Sequence, residues 1–581
     1  MRNIIFSGII ACFFTTIMPA AFAQPLAGTD DLGRTLLQND AVGDPKQGRH
    51  IAMFYFLWQG VSPTSPKHWD LTEIYANHPE VADDCDDPNW GGPKTMYYFW
   101  GQPIYGYYRG DDYWVHLRNI QLLTDADVDF LVIDATNRLT YPTQSEALMK
   151  AMDAVRAQGK KPPGIVFYTN TRSGETIQEA YEQFYMEGAP YRHPECWFYL
   201  DGKPLIIGAS RDVKDTRCLD FFTIRESQWP TEPQRVNGWP WISFTRKPEV
   251  HLNARGEREI INVSVAQHPN PTAGMGGSAF YGYIGNWGRS YRNGSPGNPE
   301  TDIFYGYNIQ EQWEVALKED VPFVFVTGWN EWIAGRWDSK DKNPKHSWFC
   351  DLASPEFSRD LEPSLTADLK DHYYMQLVNN IRRYKGVEKI PASDALTKPI
   401  KQLSDWQTIS RVYTDYTGDT QHRNHAGAQS EPATVYTNTT GRNDFHIMKV
   451  AHDKNNFYFY VETSDNITPN TGDNWMRLYI DADRKATTGW KGYDYRIIGG
   501  KTLQQYVNGN WQNVGNKSLK TVVEKNKMMI TVPRTFPLLK NVSDFEFKWT
   551  DNMQAEDPMD WYVNGDTAPG GRFNYVYLST K

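Results

Sequence analysis

The chain has 581 residues, more than a single hydrophobic core organises, so at least two folding units are expected. A formal net charge of −10 sets it against a nucleic-acid partner, and its one long apolar stretch, Ile4 to Met18, is short for a bilayer span of about 20 residues. Aromatic residues make up 14%, which suits stacking on the apolar faces of sugars, although rings are also the bulk of most cores.

Arg2, the apolar stretch and Ala21-Phe22-Ala23 together read as a signal peptide over residues 1–23. Export to the periplasm or the extracellular space is expected. Cys12 leaves with the signal, and Cys85, Cys196, Cys218 and Cys350 then stand where disulfides can form. Four cysteines allow three pairings, and buried free thiols are the alternative.

From Arg49 to about Gly386 the sequence alternates apolar β-branched or aromatic runs with helical periodicity, the pattern of parallel α/β architecture, so residues 24–388 are expected to form the catalytic barrel. Strands are predicted at Ile51–Phe56, Val128–Asp134, Gly164–Tyr168, Pro204–Gly208, Asp220–Ile224, Ile261–Ala266 and Pro322–Thr327. Asp111 or Asp112 caps a helix carrying Trp114, Leu117 and Leu122, a second helix spans Glu146 to Arg156, and a last one runs from Tyr373 to Tyr384. Seven strands over this length fit a (β/α)8 TIM-type barrel with one strand unseen. The first strand is followed by Phe56-Leu57-Trp58-Gln59-Gly60, not by a dinucleotide-binding glycine loop. Residues 389–405, with Pro391 and Pro399 and no clear period, read as a linker. From 406 to 581 the period becomes two, at Phe445–Ala451, Asn456–Thr463, Trp475–Asp481, Met528–Val532 and Phe545–Thr550, which predicts an antiparallel β-sandwich.

The segment Pro322 to Trp332 runs an apolar strand straight into Trp329-Asn330-Glu331-Trp332. Barrel active sites lie at the C-terminal ends of strands, so Glu331 is the first candidate for a catalytic carboxylate, with Trp329, Asn330 and Trp332 as sugar contacts. A structural ion pair with an arginine such as Arg336 is the competing role; Arg336 is also a candidate contact. Asp134, at the end of the second strand, is the candidate partner carboxylate, ahead of Glu226, and a turn-capping aspartate is its alternative. Tyr55, Trp58, Trp100, Asn137, Asn170, Gln267 and His268 lie at or near other strand ends and are candidate substrate contacts. Trp287 and Arg289 close a glycine-rich aromatic loop, Tyr281 to Arg289, that either covers the cleft or is purely structural.

The strand followed by Trp-Asn-Glu-Trp resembles the endo-α-mannosidase-type barrels of glycoside hydrolase family 99 and the related family-71-like and WbsX-like proteins. There the motif is Asn-Glu-Trp-x-Glu-Gly, and the resemblance implies two glutamates flanking the sugar bond. Asn330-Glu331-Trp332-Ile333-Ala334-Gly335 keeps the first glutamate and the glycine and puts alanine in place of the second glutamate. Leu361-Glu362-Pro363, also a feature of those families, follows only after an insertion holding Asp338, Asp341, Trp348 and Cys350. The C-terminal region resembles family 9 carbohydrate-binding modules through Phe457–Val461, Asp473-Asn474-Trp475, Leu478–Asp483, Thr488-Gly489-Trp490 and Tyr493-Asp494-Tyr495. In it, Asp481 and Asp483 have a spacing that can bring two hard oxygen ligands to one structural calcium. Trp490, Trp549 and Trp561 are candidate stacking platforms.

The expected function is a secreted glycoside hydrolase acting on a polysaccharide or complex glycan by carboxylate acid/base catalysis, with no cofactor required for catalysis. Glycosidic hydrolysis ordinarily uses two carboxyl groups, so Ala334 keeps two alternatives open. One is a glycan-binding protein without catalysis. The other is a glycosyltransferase-like protein of polysaccharide synthesis, against which export and the lack of a diphosphate-cradling loop both count.

Overall fold

The computed structural model describes residues 25–60, 67–269, 286–338, 345–349, 354–429, 434–514, 519–536 and 539–580. The signal peptide, Tyr281 to Gly285, Asp341 and Cys350 lie outside the described residues.

Eight parallel strands form the first unit: β1 (His50–Tyr55), β2 (Phe130–Ala135), β3 (Gly164–Thr169), β4 (Lys203–Gly208), β5 (Thr223–Gln228), β6 (Gly238–Pro240), β7 (Arg258–Ser264) and β8 (Phe323–Thr327). Their hydrogen-bonded order is β6-β5-β4-β3-β2-β1-β8-β7, so a nearly closed barrel results, with the seam between β6 and β7. The Asn262 side chain bridges that seam by donating to Pro240 O at 2.7 Å, and the short strand His251–Leu252 lines its edge. β6 is the strand the periodicity missed, because Gly238-Trp239-Pro240 is too short to show alternation. The run expected as the strand Asp220–Ile224 is instead the end of the helix Thr216–Phe221, which Asp215 caps, and β5 starts at Thr223.

Alternate residues point into the barrel and fill it, as its geometry demands. Phe54, Phe130, Val132, Val166, Tyr168, Leu205, Ile207, Trp239, Ile260 and Phe325 belong to this inner core. The outward-facing set packs under the helices Tyr113–Asp125, Pro142–Ala157, Tyr307–Glu319 and His372–Lys385. Asp112 is the cap of the first, accepting from the backbone N–H groups of Trp114 and Val115.

The second unit is a sandwich of two antiparallel sheets of five and seven strands, whose shared core includes Phe459, Met448, Leu478, Ile480, Phe547 and Trp549. Residues 389–405, expected as a linker, lie along it: Leu396 N donates to His452 O, Ser393 bridges Ser579, and Ile400 packs with Trp406, Tyr458 and Tyr460. Ion pairs join the sandwich to the barrel, among them Arg423 with Asp112, Arg118 with Asp419 and Arg572 with Asp371. Cys196 and Cys218 are buried free thiols. Among the described residues no helix is long and apolar enough to cross a membrane.

Candidate active site at the barrel mouth

Glu331 lies just beyond the C-terminal end of β8, with 9% of its surface exposed. Its Oε2 accepts from Arg359 Nη2 at 2.7 Å, and its backbone N–H donates to Asp360 Oδ1. The ion-pair partner is therefore Arg359, not Arg336. Arg336 lies elsewhere, donating to Cys85 O and Gly92 O at 2.8 Å and to Ser347 Oγ, with its guanidinium over Trp90 and Tyr98.

What holds Glu331 in place is a clasp between two strand ends. Asn330, fully buried, accepts from Phe56 N at 2.9 Å and donates to Phe56 O and Tyr108 Oη, each at 3.1 Å. Its own carbonyl accepts from Gln59 Nε2 at 2.6 Å, and Trp329 N donates to Phe54 O at 2.8 Å. Both amide protons and the side-chain oxygen of Asn330 are engaged by these neighbours, so it faces protein and not a cleft.

Asp134 stands on the other side of the same point. Tyr55 is in register with Ile133, so the next residues, Phe56 and Asp134, lie across from each other at the mouth. Asp134 is half-buried, and its Oδ1 accepts from Thr136 N at 3.0 Å, which is the turn-capping role. Phe56 thus has Asp134 across from it on one side and, on the other, the side chain of Asn330, the residue that precedes Glu331. Glu226 lies within β5 and bonds Ser210, away from this pair.

Trp241 completes the mouth. The Arg359 guanidinium sits 4.8 Å from its ring centre, Thr327 Oγ1 donates to its carbonyl, and Phe54 and Trp229 pack against it at 6.1 Å. Tyr168, near the end of β3, donates to Trp239 O at 2.8 Å. Trp58, partly exposed, meets Tyr97 edge-on at 5.2 Å, and Asn170 is half-buried beside Ser227. Asn137 is exposed and donates to Tyr141 Oη at 2.7 Å.

Several expected sugar contacts are instead walls behind the site. Trp100 and Trp332 stack at 4.4 Å with 0% exposure each, their indole N–H groups donating to Asp360 and Glu362. Trp329 is equally buried, and Tyr55 points outward from the barrel to His116 Nδ1 at 3.0 Å. Gln267 is fully buried on Ser243 O, His268 is buried near Phe357, and Trp287 is half-buried under Arg246. Arg289 is buried and ties Pro355, Ser358 and Asp360 together, with its guanidinium 4.2 Å from the Tyr373 ring. Beside it, a Cβ on Gly288 would come within 2.2 Å of the Glu356 carboxylate.

The residues that sequence reasoning missed are Arg359, Asp360 and Trp241. Arg359 and Asp360 immediately precede the Leu361-Glu362-Pro363 already singled out, and the density of charge there is the signal that could have found them. Burial pushes the Asp360 carboxyl up to about 6 and that of Glu362 up to about 7. Ala334, where the resembling families carry a second glutamate, is buried in the strand Ile333–Asp338 opposite Tyr98.

In the sandwich, Trp549 is fully buried and Trp561 nearly so, while Trp490 stays partly exposed with Trp511 at 6.3 Å. Asp494 joins Asp481 and Asp483: one carboxylate oxygen from each lies within 4.8 Å of the others. Burial and the charges of Glu546 and Asp494 push Asp481 up to about 8.

Fold and site together define a TIM-like barrel with a buried carboxylate–guanidinium pair at its C-terminal mouth, joined to an antiparallel β-sandwich. Two solved structures of the GH99 endo-alpha-mannosidase from Bacteroides thetaiotaomicron are similar to it, one of them in complex with BIS-TRIS-Propane. The complex is 13% identical and the other structure 14%, both with a TM-score of 0.32, and each alignment covers 58% of this chain and 97% of the other. No protein-family model and no curated relative matches the chain.

Proposed function

We propose that the chain is an exported glycoside hydrolase that cleaves glycosidic bonds in a polysaccharide or complex glycan, with Glu331 and Asp134 as its working carboxylates. What supports this reading is that Glu331 follows the end of β8, bonded to Arg359 and next to the Asn330 clasp on Phe56, while Asp134 lies near the end of β2, across from Phe56. A guanidinium at 2.7 Å favours the ionised carboxylate, which suits Glu331 to take a proton from the attacking nucleophile more than to donate one. Asp134 is then the group to protonate the leaving oxygen. The partly exposed Trp58 offers an aromatic surface for a sugar ring, with the buried Trp241 packed behind the Glu331–Arg359 pair.

The sandwich, in this reading, is a carbohydrate-binding module with Trp490 and Trp511 as its accessible rings. Asp481, Asp483 and Asp494 offer only hard oxygen ligands, which fits a structural calcium.

Glycan binding without cleavage is the second reading, and Ala334 favours it, because the strand position that carries a carboxylate in the resembling barrels here holds a buried methyl group. The test is hydrolysis of a broad polysaccharide panel by the wild type, Glu331→Gln and Asp134→Asn. Loss of at least about 100-fold in rate for each variant is expected. Cleavage by Glu331→Gln at the wild-type rate would refute the assignment, and retention of several glycans with no product from the wild type would favour binding alone.

A further inference from the structure

Three aspartates, Asp419, Asp444 and Asp566, converge where the sandwich meets the barrel, with Asp415 nearby in sequence. Asp415 and Asp419 follow the short strand Tyr413–Thr414, Asp444 immediately precedes the strand Phe445–His452, and Asp566 opens the strand Asp566–Ala568. One carboxylate oxygen each from Asp419, Asp444 and Asp566 lies within 4.8 Å of the other two. Asp415, Asp419 and Asp566 are 5%, 6% and 3% exposed, so this is not a solvated acidic patch.

Their hydrogen bonds account for only part of their oxygens. Asp566 accepts from Phe445 N at 2.6 Å and Thr567 N at 2.7 Å, and Asp444 Oδ2 accepts from Gly418 N at 2.9 Å. Asp419 Oδ2 accepts from Arg118 Nη1 at 2.8 Å and Gln121 Nε2 at 3.3 Å. Asp419 Oδ1 and Asp415 Oδ2 are buried with no hydrogen-bond partner among the described residues, and the Ser464 side chain is within reach of the Asp444 carboxylate. Asp415 stands outside the converging trio; burial raises its carboxyl, and the charge of Asp419 is the leading one that raises it further.

The charges do not balance either. Among the described residues Arg118 is the one cation in direct contact with the trio; Lys160, bonded to Thr414, acts on Asp415, and Lys548, fully buried nearby, donates to Pro569 O and is pushed down to about 7 by its burial. Buried carboxylates without partners are unfavourable, and like charges at this spacing repel. A cation that accepts several oxygens at once satisfies both deficits.

We propose that Asp419, Asp444 and Asp566 bind a structural Ca2+ that fastens the sandwich to the barrel. The donors are all hard oxygens, with no histidine or thiolate among them, which selects Ca2+ over zinc or copper. Calcium takes oxygens at about 2.3–2.6 Å, so ligands on opposite sides of the ion stand roughly 5 Å apart, a spread this trio meets. Bound there, the ion gathers the loop after the strand Tyr413–Thr414, the entry to Phe445–His452 and the start of Asp566–Ala568. Through Asp419 and Arg118 it also reaches the barrel helix Tyr113–Asp125.

The site is separable from the Asp481, Asp483 and Asp494 group by mutation. The full chain carrying Asp481→Asn and Asp483→Asn is stripped with EGTA, titrated with CaCl2, and its bound calcium counted by mass spectrometry with the thermal midpoint followed in parallel. One Ca2+ per chain and a calcium-dependent rise in Tm are expected. Adding Asp444→Asn, a half-buried position least able to disturb folding, is expected to weaken binding by at least about tenfold and to shrink the rise in Tm. The proposal is overturned if the Asp481→Asn/Asp483→Asn chain binds no calcium, in which case protons neutralise the cluster, or if Asp444→Asn leaves both affinity and the Tm rise unchanged.

Discussion

Replacing Asn330 by alanine removes three hydrogen bonds from a fully buried position: one from Phe56 N, one to Phe56 O and one to Tyr108 Oη. Each contributes about 1 kcal/mol net, and the Phe56 N–H left in a buried strand end adds roughly 1–2 kcal/mol, so a loss of about 4–5 kcal/mol is expected. Aspartate in the same place is expected to be no better. It still accepts from Phe56 N, but it sets an oxygen against Phe56 O, and Tyr108 already donates its one proton to Glu362 Oε2 at 2.8 Å. Urea unfolding followed by tryptophan fluorescence measures this, with Asn137→Ala, at an exposed position of the same mouth, expected within about 1 kcal/mol of wild type. If Asn330→Ala is as stable as Asn137→Ala, or if Asn330→Asp is clearly more stable than Asn330→Ala, the clasp does not hold the site.

Further expectations concern charge and packing. Inside the barrel, Arg225 pairs with Glu259 at 2.7 Å while Trp239 Nε1 donates to the same carboxylate at 2.8 Å, so Glu259→Ala should destabilise by about 3–5 kcal/mol, read by the same urea titration. Glu362 is held up at about 7 in the folded chain, so the folded state keeps a proton that the unfolded state releases near pH 4.5. Stability is then greatest below about pH 4.5 as far as this group is concerned and declines until about pH 7, by up to roughly 3 kcal/mol. Glu362→Gln should flatten that part of a thermal-midpoint against pH curve, and an unchanged slope would count against the assignment. Trp490→Ala should weaken retention on an immobilised glycan with little effect on Tm, whereas Trp549→Ala, fully buried, should destabilise by about 3–5 kcal/mol.

Much of this architecture is written locally. The alternation that marks β1, β2 and β3, the Asp112 cap, and the period-two runs from Phe445 onward depend on residues a few positions apart, and they stand in the structure within a residue or two of where the pattern puts them. The placement of Asn330 and Glu331 at the end of an apolar strand is local in the same way. A strand of three residues such as Gly238–Pro240 carries too little pattern to be seen, and Asp220-Phe221 reads as apolar strand until Asp215 is known to start a helix turn there.

By itself the sequence determined which segments bury an apolar face, and hence a parallel barrel followed by an antiparallel sandwich, because hydrophobic periodicity and capping are short-range properties. Only the tertiary structure decided which charges meet and which rings are exposed. Arg359 reaches Glu331 across 28 residues, Asp566 meets Asp419 and Asp444 from the far end of the chain, and Trp100, Trp329 and Trp332 are sealed inside while Trp490 is not. Ion pairing and burial depend on which surfaces pack together, a long-range outcome that residue type and local spacing do not encode.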